Sequence, residues 1–255
     1  MLGINKAMSF LRDYAEVYDA IHADRDFAKD VTTAVEALQK VSSAEISSKS
    51  ILDFGCGTGH HLNEFCRLAE RSIGYDRSPA MIQMAHTNFP YLKFTSRLSD
   101  LDTSFDCVFS LFDVVSYQKN MDELSSYLSA IASCLITGGH AVFDGWHSPG
   151  VRISPPEYRE KLIDVKGEKY LRRVLPVPSE ISDSYSLKIT IENLAKFEVI
   201  SDELHEMKAW EYSEIEMAAR SAGLIIMLFS NRNSPTIAGD DEKYWRFIAV
   251  LKKIG

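Results

Sequence analysis

Residues 51–59 read ILDFGCGTG, an apolar run that leads directly into three alternating glycines. The run predicts a buried strand, and the apolar pattern over 62–69 predicts a helix after the loop. One glycine would suffice for a tight turn. Three of them, at Gly55, Gly57 and Gly59, allow the backbone to turn sharply and to approach a ligand closely. The stretch therefore predicts a loop at the carboxyl end of a strand, where open α/β sheets bind ligands.

The segments on either side predict alternating strands and helices, preceded by a helical pattern over 9–40. We predict strands at 71–75, 92–95, 105–110 and 141–143, helices at 79–87 and 121–134, and a left-handed cap at Gly138-Gly139. Ser78 and Pro79 suit the start of the helix over 79–87. Residues 165–208 alternate in the manner of antiparallel strands, and a helix at 213–222 and strands at 224–229 and 245–251 follow.

This order predicts an α/β protein with a Rossmann-like, doubly wound, seven-stranded and mostly parallel sheet, and an antiparallel β insertion after the fifth strand. We expect residues 1–150 and 210–255 to form the ligand-binding core, with an N-terminal helical lid. Residues 151–209 would form the insertion, which would cover a substrate, form a dimer interface, or both.

Composition narrows the class of partner. The chain has 255 residues, 45% of them hydrophobic, with 28 Lys and Arg against 36 Asp and Glu and a net charge of −8. The acidic balance argues against nucleic acid and anionic membranes as partners. The four cysteines are scattered without metal-site spacing, and the most apolar run, 222–229, is too short to span a bilayer. We therefore expect a cytoplasmic protein with reduced cysteines and without a bound metal.

The glycine loop does not fit the dinucleotide pattern G-x-G-x-x-G, because His60 occupies the third glycine position. With Asp53 before it, the loop resembles the first motif, D-x-G-x-G-x-G, of class I S-adenosylmethionine (SAM) methyltransferases. The segment IGYDRSP at 73–79 resembles the second motif of that family, and 105–110 and 135–143 resemble its fourth strand and its entry to the fifth. The matching motifs cover about 50–145 in the family's order.

The resemblance implies SAM as cofactor, with Asp76 accepting hydrogen bonds from both ribose hydroxyls and Met81 against the adenine. Many relatives place an acid after the third strand, where this chain has Arg97. Backbone groups of Arg97 and Leu98 would then recognise the adenine, with the Arg97 side chain stacked or turned away. The cofactor-binding set that the resemblance implies is Tyr18, Phe27, Asp53, Gly55, Cys56, Gly57, Asp76, Arg77, Met81, Arg97, Leu98 and Leu111.

The segment 14–27 resembles the N-terminal lid of small-molecule methyltransferases, including sugar N-methyltransferases. The resemblance implies that Tyr18 and Phe27 contact the methionine end of the cofactor or the methyl region. The alternative is an amphipathic helix that packs on the sheet, and the two interpretations are compatible.

Three residues after the fourth and fifth strands are catalytic candidates. Tyr117 comes first, since related sugar N-methyltransferases carry His or Tyr there, although a phenol with a pKa near 10 is a poor base at neutral pH. Asp113 is second, because several relatives have a polar residue at that position. His147 is third. A packed surface Tyr and a structural His are the alternatives for Tyr117 and His147.

The resemblance implies methyl transfer from SAM to a small polar acceptor. A sugar or nucleotide-linked sugar, N- or O-methylated in polysaccharide or natural-product biosynthesis, is the expected acceptor. Lipids or other small metabolites are alternative acceptors, and a homodimer is an expected assembly. A SAM-binding partner protein without catalysis and a nicotinamide-dependent oxidoreductase are the rival functions.

Overall fold

A computed structural model describes residues 18–255 apart from 44, 102–103, 166, 234 and 236–243. The chain folds into two compact units. The larger unit consists of Asp26–Pro155 and Lys208–Gly255, and the smaller contains Pro156–Met207 together with residues 18–25.

The larger unit is built on a seven-stranded sheet. Its strands, numbered along the chain, are β1 (Ser50–Phe54), β2 (Arg71–Tyr75), β3 (Lys93–Thr95), β4 (Phe105–Ser110), β5 (Leu135–Trp146), β10 (Leu224–Asn231) and β11 (Arg246–Lys253). Their order across the sheet is β10-β11-β5-β4-β1-β2-β3. Within this sheet β11 runs antiparallel to both β10 and β5, and the other neighbouring strands pair in parallel. The predicted doubly wound, mostly parallel sheet is confirmed.

Helices cover both faces of this sheet. They are α1 (Phe27–Gln39), α2 (His60–Phe65), α3 (Pro79–Asn88), α4 (Met121–Cys134), α5 (Ser148–Ile153) and α6 (Tyr212–Ser221). Strand β1 is buried from Ile51 to Phe54, as a central parallel strand requires. Two apolar clusters result. One packs α4 and α6 against the sheet, and the other packs α1 and Phe65 of α2 against it.

The ends of α1 and α3 follow from local capping. The side chain of Asp26 accepts a hydrogen bond from the Lys29 backbone N–H and starts α1. The predicted helical segment over 9–40 is interrupted in its described part, which is helical over 18–21 and again over Phe27–Gln39. Residues 9–17 lie outside the described residues. Helix α3 begins as predicted, with Ser78 as N-cap and Pro79 in the first turn.

The predicted glycine cap of α4 is wrong. The helix ends at Cys134, and Leu135 is already extended, with φ −93° and ψ 144°. Because Leu135 is 1% exposed, the chain enters β5 at once to bury it. Gly138, with φ +82°, lies within β5, and the β4–β5 register shifts between Phe105 and Cys107. Gly138 thus allows the irregular backbone at the start of β5, where the register with β4 shifts.

The smaller unit contains an antiparallel sheet. Its strands are β6 (Arg159–Val165), β7 (Glu168–Pro178), β8 (Ser184–Asn193) and β9 (Glu198–Lys208), in that order across the sheet. Ile163, Val174, Ile189 and Ile191 are buried, and the strand registers place them on one face. The predicted antiparallel insertion after the fifth strand of the larger sheet is confirmed.

Candidate functional site

The glycine loop joins β1 to α2 at the carboxyl end of the sheet. Gly55, Gly57 and Gly59 all have left-handed backbones, with φ of +83°, +53° and +90°. A Cβ atom on Gly55 would lie 2.9 Å from Val114, and one on Gly59 would lie 2.9 Å from Phe94. Among the described residues other than its chain neighbours, no atom lies within 4 Å of a Cβ atom placed on Gly57. Within the described part of the chain, the loop is therefore packed at both ends and open at its centre, where glycine permits a ligand to approach the backbone closely.

Asp76 follows β2 and faces this loop. Its carboxylate accepts the Gly57 backbone N–H at 2.9 Å and the Ser78 backbone N–H at 2.8 Å. Burial raises the pKa of Asp76, while these two hydrogen bonds oppose the rise. A carboxylate offers about four acceptor positions. Asp76 thus retains acceptor positions for two hydroxyl groups of a ligand.

Asp53 lies at the end of β1, directly beneath the loop. The side chain is 1% exposed, and its Oδ2 has no hydrogen-bond partner among the described residues. Burial raises the pKa of Asp53 to about 7, and the nearby charge of Asp76 contributes to the rise, while His61 opposes it. A cationic ligand group nearby would favour the charged carboxylate.

The residues after β3 hold the side chain of Arg97 on the surface. Arg97 Nε lies 3.1 Å from Asp100 Oδ2, and the Arg97 backbone N–H donates to Thr95 Oγ1. Leu98 packs against the main apolar cluster. The guanidinium is therefore turned toward Asp100, one of the two arrangements that the sequence allows.

The first turn of α3 contributes two predicted residues. The Met81 backbone N–H donates to the Ser78 hydroxyl, and the Met81 side chain is partly buried. Arg77 is exposed. Both residues follow Asp76 closely and so lie at the same end of the sheet.

Cys56 and Leu111 are buried, with 6% and 2% exposure. Burial raises the pKa of the Cys56 thiol well above its usual range, so the thiol stays protonated. A Cβ atom on Gly74 would lie 2.9 Å from Cys56 Sγ. Cys56 thus fills space between the loop and β2.

Phe27 begins α1 and packs beside the loop. Its ring stacks on His60 at 4.6 Å between centroids and meets the edge of His61 at 5.1 Å. Since both histidines belong to α2, this contact holds the start of α1 against the helix that follows the glycines. Tyr18 belongs to the smaller unit, where its ring contacts His22 at 4.7 Å.

The segment after β4 has an unusual backbone. Phe112 and Asp113 have left-handed φ angles of 73° and 62°. Residues other than glycine rarely adopt this conformation, and those that do are enriched at functional sites. Asp113 is 4% exposed, and its Oδ2 lies 2.6 Å from Arg246 Nη2. Burial raises the pKa of Asp113, and Arg246 opposes that rise.

A buried ionic network that the sequence did not reveal supports this segment. Asp144 Oδ1 accepts the Asp113 backbone N–H at 3.0 Å, and Asp144 Oδ2 pairs with Arg232 Nε. Arg232 Nη2 reaches Asp30 of α1 at 2.6 Å, and the other oxygen of Asp30 lies 3.3 Å from His61 Nε2. Burial lowers the pKa of Arg232, but the negative charges of Asp144 and Asp30 have a larger effect and raise that pKa above its usual value. The signal in the sequence is Asp144 itself, a carboxylate within an apolar strand.

Tyr117 and His147 occupy different environments. Tyr117 ends a 3-10 turn over Val114–Tyr117 and is partly exposed. His147 is 5% exposed, its ring stacks on Tyr244 at 4.4 Å, and its Nδ1 lies 3.2 Å from the Tyr244 carbonyl oxygen. The geometry around His147 favours a structural role, whereas Tyr117 is accessible to a ligand.

None of the described helices has both the length and the apolar character needed to cross a membrane. The residues described contain no group of three His, Cys, Asp or Glu side chains placed to hold a metal ion.

Comparison with known proteins relates the chain to methyltransferases. It is 33% identical over 142 residues to a dTDP-4-amino-2,3,4,6-tetradeoxy-D-glucose N,N-dimethyltransferase of Saccharopolyspora spinosa, covering 54% of this chain and 56% of that protein. It is 30% identical over 142 residues to a dTDP-3-amino-3,4,6-trideoxy-alpha-D-glucopyranose N,N-dimethyltransferase of Streptomyces venezuelae, covering 54% and 59%. The chain thus spans a little over half the length of these curated relatives.

A crystal structure of an S-adenosylmethionine-dependent methyltransferase from Clostridium acetobutylicum shares the fold. The TM-score is 0.74 at 22% identity, with 96% of this chain and 99% of that chain covered. The family model described as a methyltransferase domain matches residues 21–215. Because that match covers well over half of the chain, the protein belongs to the methyltransferase domain family.

Proposed function

We propose that the protein transfers a methyl group from SAM to the amino nitrogen of a nucleotide-linked amino deoxysugar. The observation that carries the proposal is the glycine loop at the carboxyl edge of the sheet, open above Gly57 and paired with Asp76. The named substrates of the two curated relatives support the acceptor class.

The residues present fit this cofactor. Gly57 leaves space for a ligand at the loop, and the free acceptor positions of Asp76 suit the two ribose hydroxyls. The unpartnered oxygen of Asp53 suits a cationic group, such as the amino group of the methionine portion. Arg97 and Leu98 would offer backbone groups to the adenine, with Met81 packing against the ring. Tyr18, Phe27, Gly55, Cys56, Arg77 and Leu111 complete the proposed cofactor set.

SAM supplies an activated methyl group on a sulfonium, so the protein mainly orients the acceptor and excludes water. Tyr117 is a partly exposed polar side chain after β4, and we assign it the orientation of the acceptor by hydrogen bonding. Asp113 is paired with Arg246, so its role is binding rather than proton removal. His147 is enclosed by aromatic side chains and is left out of the catalytic set.

Calorimetry tests the cofactor assignment. SAM should bind and NAD should not, and Asp76→Ala should weaken SAM binding by about 1–3 kcal/mol because charge-assisted hydrogen bonds are lost. Asp202→Ala, which removes a half-exposed carboxylate of the smaller unit, should leave the affinity unchanged. Binding of NAD without SAM would overturn the cofactor assignment.

Mass spectrometry tests the reaction. Incubation with SAM and dTDP-4-amino-2,3,4,6-tetradeoxyglucose, or with the 3-amino sugars, should increase the mass of the sugar. Each transferred methyl group replaces one hydrogen and so adds about 14 mass units. Tyr117→Phe should lower turnover more than SAM affinity. Tight SAM binding with no methylation of any amino sugar would favour a non-catalytic partner protein.

A further inference from the structure

The side chains of Asp113 and Arg246 form a single contact where two are available. Arg246 Nη2 lies 2.6 Å from Asp113 Oδ2. Asp113 Oδ1 and Arg246 Nε are both buried and have no hydrogen-bond partner among the described residues. A guanidinium that meets a carboxylate side-on makes two parallel hydrogen bonds, so that both carboxylate oxygens and the guanidinium Nε have partners. The single contact therefore leaves one acceptor and one donor of the same ion pair without a hydrogen bond among the described residues.

Buried polar atoms are almost always satisfied in folded proteins. Asp113 is 4% exposed, so its second oxygen cannot turn into bulk solvent. The Arg246 side chain is 35% exposed although its Nε is buried, so the two unpaired atoms lie beneath a partly exposed side of Arg246. A group that reaches the pair from that side could satisfy both atoms.

The backbone of Asp113 is held by a hydrogen bond and has an unusual conformation. Its N–H donates to Asp144 Oδ1 at 3.0 Å, and its φ of 62° is left-handed. Val114, the next residue, lies 2.9 Å from the Cβ position of Gly55 in the glycine loop. Asp113 is therefore held next to the proposed cofactor loop, on a backbone segment that a hydrogen bond fixes.

The chemistry of the two atoms selects the ligand group. An anionic oxygen would accept from Arg246 Nε but would be repelled by the Asp113 carboxylate. An ammonium would donate to Asp113 Oδ1 but could not accept from Arg246. The reacting amine needs its lone pair for attack and so cannot accept from Arg246 during transfer. A hydroxyl both donates and accepts, and it satisfies both atoms at once.

We propose that Asp113 and Arg246 together bind one ring hydroxyl of the sugar acceptor, with Asp113 Oδ1 accepting its hydrogen and Arg246 Nε donating to its oxygen. This assignment rests on the proposed function, and it makes the pair a determinant of which amino deoxysugars are accepted. Sites built to bind a hydroxyl reject the deoxy analogue strongly, because the polar groups are then left unpaired.

Two pairs of acceptors test this assignment. The first pair is dTDP-3-amino-3,6-dideoxyglucose and dTDP-3-amino-3,4,6-trideoxyglucose, which differ only in the C4 hydroxyl. The second pair is dTDP-4-amino-4,6-dideoxyglucose and dTDP-4-amino-2,3,4,6-tetradeoxyglucose, which differ at C2 and C3. Each sugar is titrated into the full chain with saturating S-adenosylhomocysteine, so that binding is measured without turnover.

The wild-type chain should bind the hydroxylated member of at least one pair about tenfold more tightly or better. Arg246→Lys keeps the charge but removes Nε, and should reduce that ratio to within about twofold while SAM affinity stays unchanged. Arg246→Gln, which retains an amide donor, is the second variant if Arg246→Lys does not fold. Thermal melting identifies the folded variants.

The outcomes separate this inference from the proposed function. Equal binding of both members of both pairs by the wild-type chain overturns the role of the Asp113–Arg246 pair alone. The same ratio in the wild type and in a folded Arg246 variant does so as well. Binding of SAM with no binding of any of the four sugars overturns the acceptor class, and the hydroxyl assignment falls with it.

Discussion

Gly57 and Gly138 allow the ligand-binding role of a glycine to be separated from its conformational role. Both residues have left-handed backbones, with φ of +53° and +82°, and a Cβ atom on either would lie more than 4 Å from every other atom that the structure describes outside its chain neighbours. Gly57 lies in the proposed cofactor loop, whereas Gly138 lies at the start of β5. The two positions therefore share the backbone strain and differ in their proposed ligand.

Gly57→Ala and Gly138→Ala should each destabilise the fold by about 1–2 kcal/mol, because an L-residue resists the left-handed conformation. Only Gly57→Ala should also reduce SAM affinity, since its methyl group would occupy the space above the loop. Chemical denaturation and calorimetry measure the two effects. An equal loss of SAM affinity in both variants would place the cofactor elsewhere.

Asp53 gives stability a pH dependence whose sign follows from its raised pKa. The folded-state pKa is about 7, against an ordinary value of 3.8. Between these values the folded chain holds a proton that the unfolded chain has released. The contribution of Asp53 is therefore most favourable below about pH 4 and is lost as the pH rises toward 7 and beyond, by on the order of 4 kcal/mol in total.

Asp53→Asn removes this titration. The melting temperature of the wild type should fall relative to that of Asp53→Asn as the pH rises from about 5 to about 8. Melting curves for both proteins at several pH values provide the measurement. Parallel curves across this range would show that Asp53 titrates well below 7.

At the scale of elements, Arg232 links parts of the fold that are distant in the chain. It follows β10 and joins α1 through Asp30 to β5 through Asp144. Its side chain is 11% exposed, as is that of Asp30, and Asp144 is still more buried. Removal of one partner from such a network leaves buried charges without compensation.

Arg232→Met should therefore destabilise the protein by about 3–5 kcal/mol. Arg220→Met is the control, because Arg220 is 72% exposed and pairs with Glu216 one helical turn away. Its loss should cost less than about 1 kcal/mol. Urea unfolding of both variants measures the difference, and similar values for the two would show that the buried network contributes no more than a surface pair.

The elements themselves were largely predictable, because apolar runs and alternation report burial directly. The end of α4 was not. Gly138 and Gly139 carry the signature of a helix cap, but the burial of Leu135 starts β5 three residues earlier. The burial of Leu135 in the core determined the end of the helix more strongly than the two glycines did. The local sequence does not indicate how β4 and β5 align.

At the scale of the whole molecule, the larger unit has its own core. Both apolar clusters consist entirely of residues from Asp26–Pro155 and Lys208–Gly255. All proposed cofactor residues except Tyr18 belong to this unit as well. The roles of the smaller unit as a substrate cover or a dimer interface remain predictions.

Replacement of Pro156–Met207 by a short Gly-Ser linker should therefore leave a folded protein that binds SAM within about tenfold of the wild-type affinity, because every cluster contact of the larger unit is retained. Methyl transfer should be lost if the smaller unit supplies acceptor contacts. Circular dichroism and calorimetry report folding and binding. Failure to fold would show that the larger unit depends on the smaller one.

The candidate site was predictable only where the chemistry is local. Asp53 lies within the end of β1, Gly57 follows β1 and Asp76 follows β2, so a motif can identify all three. Arg232 and Arg246 lie far along the chain, and only the β10–β11 hairpin brings them to the same edge as Asp113 and Asp144. Sequence alone does not reveal such pairings, since their partners are more than 80 residues away.

The pair between Asp30 and Arg232 joins residues 202 positions apart. During synthesis the ribosome makes Asp30, Asp144 and most of the sheet before Arg232 and β11 exist. The nascent chain therefore carries buried carboxylates without their guanidinium partners, and β5 lacks its antiparallel neighbour until β11 emerges. The proposed catalytic edge is then completed only after β10 and β11 have emerged, and truncations that remove β11 should be degraded rather than accumulate as partly active enzyme.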